Sequence, residues 1–367
     1  MRKSVSKIRE YIPLFSLIVY ALTLVSLILF IIVVNSVAFA DFFNYYLTAP
    51  TRAIMAWMLV LFPFSVAEVV VLASPILLIL LVFMAVKFAK KGKRASIKFL
   101  SVIVAVLCLV FITFVWTYSS GYHNSKIDDK MGLDTDSITK DELYSAYTHI
   151  VSELNYLADY IKYDETGASV MPYSYSEMSA KICEAYEKFT SEYDVLHTFP
   201  SRIKPLIISE PMTYTHLSGI YSFMSGECNV NVNYPDYVIA STSAHEMAHQ
   251  RGVAREEECN FIAFAVLTYS DDPFLRYCAY LDVYSNIAVA VIGESTDLYL
   301  SVSLDSRVRQ DRKSYSEFFK KYEDSKASEV AGSINNSYLQ ANGQENGTKS
   351  YDMITELVCA FLLNKTK

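Results

Sequence analysis

Two histidines four residues apart, with a glutamate directly after the first, are the residues of this sequence best suited to chemistry. They lie in the segment His245-Glu246-Met247-Ala248-His249. Side chains at positions i and i+4 of a helix lie on the same side, so both imidazoles could bind one zinc ion. A glutamate in this place does not bind the metal but takes the proton from a metal-bound water. The segment therefore predicts a hydrolytic zinc centre, with His245 and His249 as ligands and Glu246 as the general base.

Chance is a weak explanation of this pattern. Only six histidines occur among the 367 residues. A chain of this composition would contain a His-Glu-x-x-His segment by accident about once in a hundred. The segment is compatible with a helix and follows a strand-like stretch. In that helix, Met247 and Ala248 should face the packing side.

A catalytic zinc ion needs a third protein ligand and an open coordination position. Gly252, three residues after the second histidine, could adopt a positive φ and turn the chain sharply out of the helix. Three acidic residues follow: Glu256, Glu257 and Glu258. We predict Glu256 as the ligand, because on a helix it shares a face with Asn260, which could support the ligand from behind. The alternative is that the three glutamates only begin a helix, where the macrodipole favours acidic residues.

The segments around the motif predict a mainly helical domain with a small sheet. Residues 201–237 combine Pro, Gly, β-branched and aromatic residues, which predicts short strands. Helices are predicted from a capping box at Thr139 to about Ile161, from about Ser176 to Val195, and from about Ala240 onward.

The alternating stretch from Cys228 to Asn233 is the clearest strand. Two interpretations of residues 226–233 stay open: an edge strand that pairs with an extended substrate, or an internal strand. A zinc hydrolase also needs a group that stabilises the developing oxyanion. A structural role is the simpler interpretation of each residue that qualifies by type, namely His216, Tyr221, Tyr338 and Tyr351.

The first third of the chain predicts a membrane domain. Three apolar runs approach or exceed the roughly 20 residues that span a bilayer, namely Pro13–Val34, Val69–Val86 and Phe99–Tyr118. We therefore divide the chain into a membrane domain, residues 1–118, and a polar domain, residues 119–367.

Charge predicts the orientation of these domains. Residues 1–118 contain 11 Lys and Arg against 3 Asp and Glu, and residues 119–367 contain 21 against 36. Basic residues precede the first run and crowd the loop between the second and third, whereas the loop between the first and second has only Arg52. The positive-inside rule then places the N-terminus, including Arg2, Lys3 and Lys7, in the cytoplasm, and the polar domain outside the cell membrane. The acidity of the polar domain argues against a nucleic-acid partner.

Two features near the membrane runs need an interpretation. Residues 53–62 are apolar and predict an interfacial or re-entrant helix. Glu68 is either a functional intramembrane acid or, as we prefer, part of the first turn of a helix that starts near Ser65. The six cysteines form no CxxC pair, so neither a disulfide scaffold nor a cysteine-type zinc site is expected.

These motifs resemble a bacterial family of membrane proteins, domain-of-unknown-function family 3810, whose members carry a His-Glu-x-x-His zinc-protease signature. The resemblance extends over nearly the whole chain. The matching segments are Leu61–Ser65, Ser218–Tyr221, Gly226–Asn231, His245–Gly252, Ala254–Phe261, Tyr338–Gln344 and Ser350–Tyr351. Cys228 and Cys259 stand where alanine is expected. Residues 256–260 also resemble the Glu-x-x-Ala-Asn/Asp pattern of several zinc proteases, which supports Glu256 as the ligand.

Together, these observations predict three transmembrane helices followed by a mainly helical, zincin-like extracytoplasmic domain with a small β-sheet. The predicted function is a membrane-anchored metallopeptidase with one zinc ion, which hydrolyses peptide or related amide bonds of peptide or protein substrates at the outer face of the bilayer. The alternative is a non-catalytic receptor or assembly factor with a structural zinc site. Intact Glu246 argues against it, because a structural site does not need a base. A transporter is a poorer fit, since three spans with one boundary acid make a poor conduit.

Overall fold

The computed structural model describes residues 9–348 and 354–365. Five residues used above lie outside the described residues, namely Arg2, Lys3, Lys7, Ser350 and Tyr351.

The N-terminal third forms helices that are joined by short connections. In chain order they are α1 (Leu14–Asn35), α2 (Val37–Phe42), a π-helical segment (Phe43–Thr48), α3 (Ala49–Leu59), α4 (Val66–Lys90) and α5 (Lys93–Thr117). Helices α1, α4 and α5 are long and apolar enough to cross a membrane. They coincide with the three predicted apolar runs and indicate a membrane-associated protein. Helices α4 and α5 are longer than the apolar runs, because lysine and arginine at span ends can extend their charged groups into the polar interface.

The polar domain is mostly helical. Its helices are α6 (Ile127–Met131), α7 (Lys140–Leu157), α8 (Tyr175–Glu192), α9 (Ser209–Thr213), α10 (Asp236–Gln250), α11 (Glu256–Thr268), α12 (Pro273–Glu294), α13 (Thr296–Leu300), α14 (Ser306–Phe319), α15 (Lys326–Ala341) and α16 (Thr355–Lys365). Its strands are β1 (Lys162–Tyr163), β2 (Ser169–Val170), β3 (Ile203–Pro205), β4 (Gly219–Ser222) and β5 (Glu227–Val230).

Local signals set the helix starts. The predicted capping box at Thr139 and Glu142 is present, and Ser174 and Glu177 form a second one. Helix α7 ends at Leu157, earlier than the predicted Ile161, because the chain tightens there into a short 3₁₀ turn.

The three-stranded sheet has the order β3-β5-β4, with β3 parallel and β4 antiparallel to β5. Strand β5 is therefore the central strand, which confirms the internal-strand interpretation of residues 226–233. The edge-strand interpretation of that stretch is wrong. The edge next to helix α10 is instead β4, and Tyr221 in β4 pairs with Cys228 in β5.

Helices α10, α11 and α12 pack together in one large apolar core. Met247 and Ala248 are fully buried in this core, as predicted for the packing side of the motif helix. Burying a methionine side chain contributes roughly 1.5–3 kcal/mol. The core therefore fixes the rotation of α10 and leaves the opposite face, with the two histidines, toward a cleft.

The segment between the first and second spans packs against the polar domain. The Glu227 carboxylate accepts hydrogen bonds from the backbone N–H groups of Val66 and Ala67, both at 2.9 Å. Ser65 caps α4 by accepting from the N–H of Glu68 at 2.9 Å, as predicted, and the Glu68 carboxylate also accepts from the N–H of Ile208. The start of α4 is thus fastened to the polar domain through its backbone.

Candidate metal centre

Three side chains converge at one point between helices α10 and α11. The Nε2 atoms of His245 and His249 are 3.0 Å apart. Oε2 of Glu256 lies 3.2 Å from the first of these nitrogens and 3.4 Å from the second. Donor atoms in a tetrahedral zinc site lie about 3.3 Å from one another. The arrangement therefore fits one tetrahedral ion, with its fourth position unclaimed by these residues.

Glu256 reaches this point because the chain turns sharply after the motif helix. Gly252 has φ +99°, the left-handed conformation that the sequence predicts. A Cβ on Gly252 would also overlap the guanidinium of Arg52. Burial alone would raise the pKa of Glu256, but the charge of His249 and hydrogen bonds from both histidines hold it well below its ordinary value. The carboxylate is thus ionised, as a metal ligand must be.

Cys259 is a second candidate for the third ligand. His245, His249 and Cys259 offer donor atoms within 4.8 Å of one another. However, the sulfur lies 3.1 Å from Nδ1 of His249 and 3.4 Å from the carbonyl oxygen of Val253. It is therefore on the side of the imidazole that faces away from the paired Nε2 atoms. Burial raises the pKa of the thiol to about 12, which disfavours the thiolate. The geometry favours Glu256 over Cys259.

The other two glutamates of this helix start differ from Glu256. Glu258 accepts from Arg255 at 2.9 Å and from the N–H of Ile127 at 3.1 Å. The Glu258 carboxylate is therefore bound to Arg255 and to the start of α6. Glu257 is half-buried, whereas Glu256 is buried.

Each histidine is oriented through its other ring nitrogen. Nδ1 of His245 lies 2.7 Å from Oδ1 of Asn260. Nδ1 of His249 lies 3.0 Å from the carbonyl oxygen of Val253 and 2.9 Å from the Tyr118 hydroxyl. Contacts of this kind hold Nδ1 protonated, so that Nε2 can bind a metal once its own proton is released. Asn260 thus supports the site through its contact with His245.

Glu246 lies beside the three donor atoms and is not part of the set that would bind the metal. The residue is 4 % exposed, and its Oε2 has no hydrogen-bond partner among the described residues. Burial raises the pKa of its carboxyl to about 7, against the opposing influence of His245 and His249. A carboxyl with a pKa near neutrality can both accept and return a proton.

Two cavities adjoin the metal centre, and both include His245, Glu246 and Gly219 in their lining. The first, here called the apolar cavity, has a volume of about 480 Å³ and is lined by side chains that include Tyr118, Phe223, Ile334 and Tyr338. The second, here called the polar cavity, has a volume of about 420 Å³ and is lined by side chains that include Ser241, Thr242, Asp282 and Asn335. The metal centre therefore opens onto a cleft with two chemically different ends.

The candidates for oxyanion stabilisation lie in different places. Tyr338 lines the apolar cavity together with His249 and Glu256. The Tyr221 hydroxyl is buried without a hydrogen-bond partner among the described residues. His216 lines the polar cavity, and its Nε2 is 2.7 Å from the carbonyl oxygen of Tyr322. Tyr338 is the tyrosine candidate that is partly exposed, at 37 %.

The membrane domain contributes contacts to this site that no motif in the sequence indicates. Arg52 of helix α3 is 1 % exposed, and its guanidinium donates to the carbonyl oxygens of Thr117 at 3.1 Å and Arg251 at 3.2 Å. The amide nitrogen of Asn44 donates to the carbonyl oxygen of Gly252 at 3.1 Å. The loop between the second histidine and Glu256 is therefore held by the segment between the first two spans. The signal in the sequence is that Arg52 is the one basic residue between the first two spans.

Tyr118 adds a contact between the third span and the same site. It directly follows α5, and its hydroxyl contacts the ring of His249. The neighbouring Phe114, in the last turns of α5, packs edge-on against Phe223 at 5.5 Å between ring centroids. The metal centre thus lies next to the end of a membrane-spanning helix.

The comparisons with known proteins give a family and no function. A family model described as "Protein of unknown function (DUF3810)" matches residues 39–359. No curated protein and no solved structure shows significant similarity to the chain. The matched range begins after the first span. It includes the segment between the first and second spans, which contacts the loop between His249 and Glu256.

Proposed function

This chain belongs to the DUF3810 family of proteins of unknown function, and we propose that it is a membrane-anchored zinc metallopeptidase. The observation that carries the proposal is the convergence of His245, His249 and Glu256, at 3.0–3.4 Å from one another, beside the carboxylate of Glu246, whose Oε2 has no hydrogen-bond partner among the described residues. Two imidazoles and one carboxylate are a donor set of catalytic zinc sites, which keep one position open. When bound, zinc supplies a Lewis acid that polarises a carbonyl and activates water.

The protein residues have distinct roles in this proposal. Glu246 accepts the proton of the attacking water and returns it to the leaving amine, which its pKa near 7 favours. Asn260 and Val253 orient the two imidazoles through Nδ1. Tyr338 is the residue we assign to the developing oxyanion, because it is partly exposed in the same cavity.

The position of the edge strand β4 is an argument for a polypeptide substrate. Strand β4 is the edge of the three-stranded sheet that lies next to the motif helix. A Cβ on Gly219, at its start, would lie 2.5 Å from Oε1 of Glu246, so the strand passes directly beside the general base. An extended peptide could add to this edge with its scissile bond near the metal. A motif helix next to an edge strand is the zincin-like arrangement that we propose.

A non-catalytic protein with a structural zinc site is the second candidate. A structural site is closed by four protein ligands. The fourth position here adjoins cavities of about 480 and 420 Å³. In a structural site, burying the Glu246 carboxyl beside the metal would cost free energy and serve no purpose. The geometry therefore supports catalysis better.

We further propose that the polar domain lies outside the cell and that the enzyme acts at the membrane surface. The basic loop between α4 and α5 supports this orientation through the positive-inside rule. The contact of Tyr118 with His249 supports the location, because Tyr118 directly follows the third span. If protease added to intact cells leaves residues 119–367 whole and degrades them only after lysis, the orientation is wrong.

The activity is tested with the full-length protein purified in detergent. We expect cleavage of a quenched fluorescent peptide mixture by the wild type in the presence of zinc. Removal of the general base in Glu246→Gln should reduce the rate about 10²- to 10⁴-fold. The control is Glu294→Gln, which removes the same charge from an exposed residue on α12. Equal rates for the wild type and Glu246→Gln would show that any cleavage comes from a contaminant.

A further inference from the structure

We propose that the polar cavity is a substrate subsite for a cationic side chain, with Asp282 as its counter-ion. The inference rests on the proposed peptidase function and adds a preference for lysine or arginine at one position next to the cleaved bond. It follows from the position, the partners and the electrostatic surroundings of Asp282.

Asp282 is an accessible acid on an otherwise buried stretch of helix α12. Its neighbours Leu281 and Val283 are 3 % and 1 % exposed, whereas Asp282 is exposed and lines the polar cavity. Its Oδ1 accepts a hydrogen bond from Ser241 of α10 at 3.2 Å. The carboxylate is therefore placed at the cavity surface by two packed helices and is reached through the cavity.

Asp282 has no basic partner among the described residues. The two aspartates just before the same helix do have one: Asp271 pairs with Lys188, and Asp272 pairs with Lys181 at 3.1 Å. Although the Asp282 side chain reaches solvent through the cavity, the surrounding protein removes part of its hydration, and this desolvation raises the pKa of Asp282 against the opposing influence of Ser241 and His245. A carboxylate in such surroundings gains most from a ligand that brings a positive charge.

The rest of the cavity is also suited to a cation. Its lining includes no lysine or arginine. The other titratable groups that face it are Glu246, His216 and His245. His216 is hydrogen-bonded to the carbonyl oxygen of Tyr322, and His245 to Asn260. No lysine or arginine therefore competes with an incoming basic side chain, and the carboxylates of Glu246 and Glu256 offset the charge of the zinc ion proposed at His245.

The position of the cavity relative to β4 connects it to the cleaved bond. Gly219, at the start of β4, lines both the polar and the apolar cavity. A peptide extended along this edge would advance about 3.3 Å per residue. Since Glu246 and His245 also line both cavities, a side chain in the polar cavity belongs to a residue within about two positions of the scissile bond. Residues on the other side of the bond would meet the aromatic wall of the apolar cavity.

Cleavage-site profiling tests the specificity. The full-length zinc-loaded protein is incubated with an equimolar mixture of random decapeptides, and the cut sites are identified by mass spectrometry. We expect lysine and arginine to be enriched at one position within two residues of the cut. Asp282→Asn, which keeps the shape of the side chain, should lose this enrichment, and Asp282→Lys should favour aspartate and glutamate instead. Asp271→Asn is the control, since it removes an aspartate whose side chain is 92 % exposed at the helix start.

A binding measurement separates this inference from the peptidase proposal. In the Glu246→Gln background, fluorescence anisotropy is measured with a labelled peptide that contains lysine and with a matched peptide that contains norleucine. We expect the lysine peptide to bind about tenfold more tightly, an advantage that salt weakens and that Asp282→Asn removes. Equal cleavage by the wild type and Glu246→Gln, with this binding difference intact, would contradict the peptidase proposal alone. Equal binding of the two peptides, or an unchanged basic preference in a folded Asp282→Asn variant, would overturn the cationic subsite.

Discussion

The two walls of the metal cleft are built in opposite ways. The wall next to the membrane domain is held by buried polar contacts, in which Arg52 and Asn44 bind the loop that follows His249 and Tyr118 contacts His249 itself. The other wall is helix α15, in which Leu339 is the one buried residue. Val330 and Ile334 of that helix are 61 % and 66 % exposed.

This difference indicates that the two walls have different functions. Metal ligands must be held within a few tenths of an ångström to be effective, and that precision requires contacts from surrounding residues. A substrate cleft must admit a chain, and elements with few buried contacts open at low cost. We infer that contacts from the membrane domain hold the proposed ligands in place, whereas α15 moves to admit the substrate. The following predictions, ordered by expected size, test that contrast.

The largest effect should come from Arg52→Ala. The variant leaves the carbonyl oxygens of Thr117 and Arg251 without their donor and opens a gap beside Gly252. Each buried acceptor left without a donor costs about 1–3 kcal/mol, so we expect the free energy of unfolding of the full-length protein to fall by about 2–6 kcal/mol. The measurement is denaturant unfolding in detergent. Arg94→Ala is the matched control: its guanidinium is exposed and 3.4 Å from Glu10, so about 0–1 kcal/mol is expected. Similar losses for both variants would show that the inter-span segment does not brace the fold.

A smaller effect is expected from Tyr118→Phe. The variant removes the hydroxyl that lies 2.9 Å from Nδ1 of His249 and keeps the ring in place. Loss of a contact to a ligand histidine typically weakens metal affinity about 10- to 100-fold. Competition with a chromophoric chelator measures this affinity. Tyr338→Phe, on the other wall, should leave zinc affinity unchanged, and the contrast between the walls would fail if both variants weakened it equally.

The smallest effect on stability should come from Ile334→Ser on α15. An exposed side chain that packs little contributes within about 0.5 kcal/mol, so the melting temperature should stay nearly constant. Because Ile334 lines the apolar cavity, the KM for peptides with apolar residues should rise severalfold while kcat changes little. A large drop in melting temperature would show that α15 is an integral part of the core.

The features that the sequence predicted correctly are those encoded over short distances along the chain. The spacing of His245 and His249 places both rings on one side of α10, and the caps at Thr139 and Ser65 start their helices as expected. The three spans follow from apolar length alone. Gly252 adopts the positive φ that its position indicated.

The features that the sequence did not predict depend on distant contacts. Arg52 and Arg251 are 199 positions apart, and no periodicity links them. Strand order was equally hidden, because alternation in residues 228–233 does not say whether a neighbour lies on one side or both. Asp282 occupies a place on α12 between buried residues, so only the packing of α10 against α12 shows that it faces a cavity.

The metal content of the purified full-length protein tests the central claim most directly. Elemental analysis would compare the wild type with Glu246→Gln, Glu256→Ala and Cys259→Ala. The account predicts about one zinc ion per chain in the wild type, in Glu246→Gln and in Cys259→Ala, and loss of zinc in Glu256→Ala. A wild type without zinc, or zinc lost in Cys259→Ala and kept in Glu256→Ala, would contradict it.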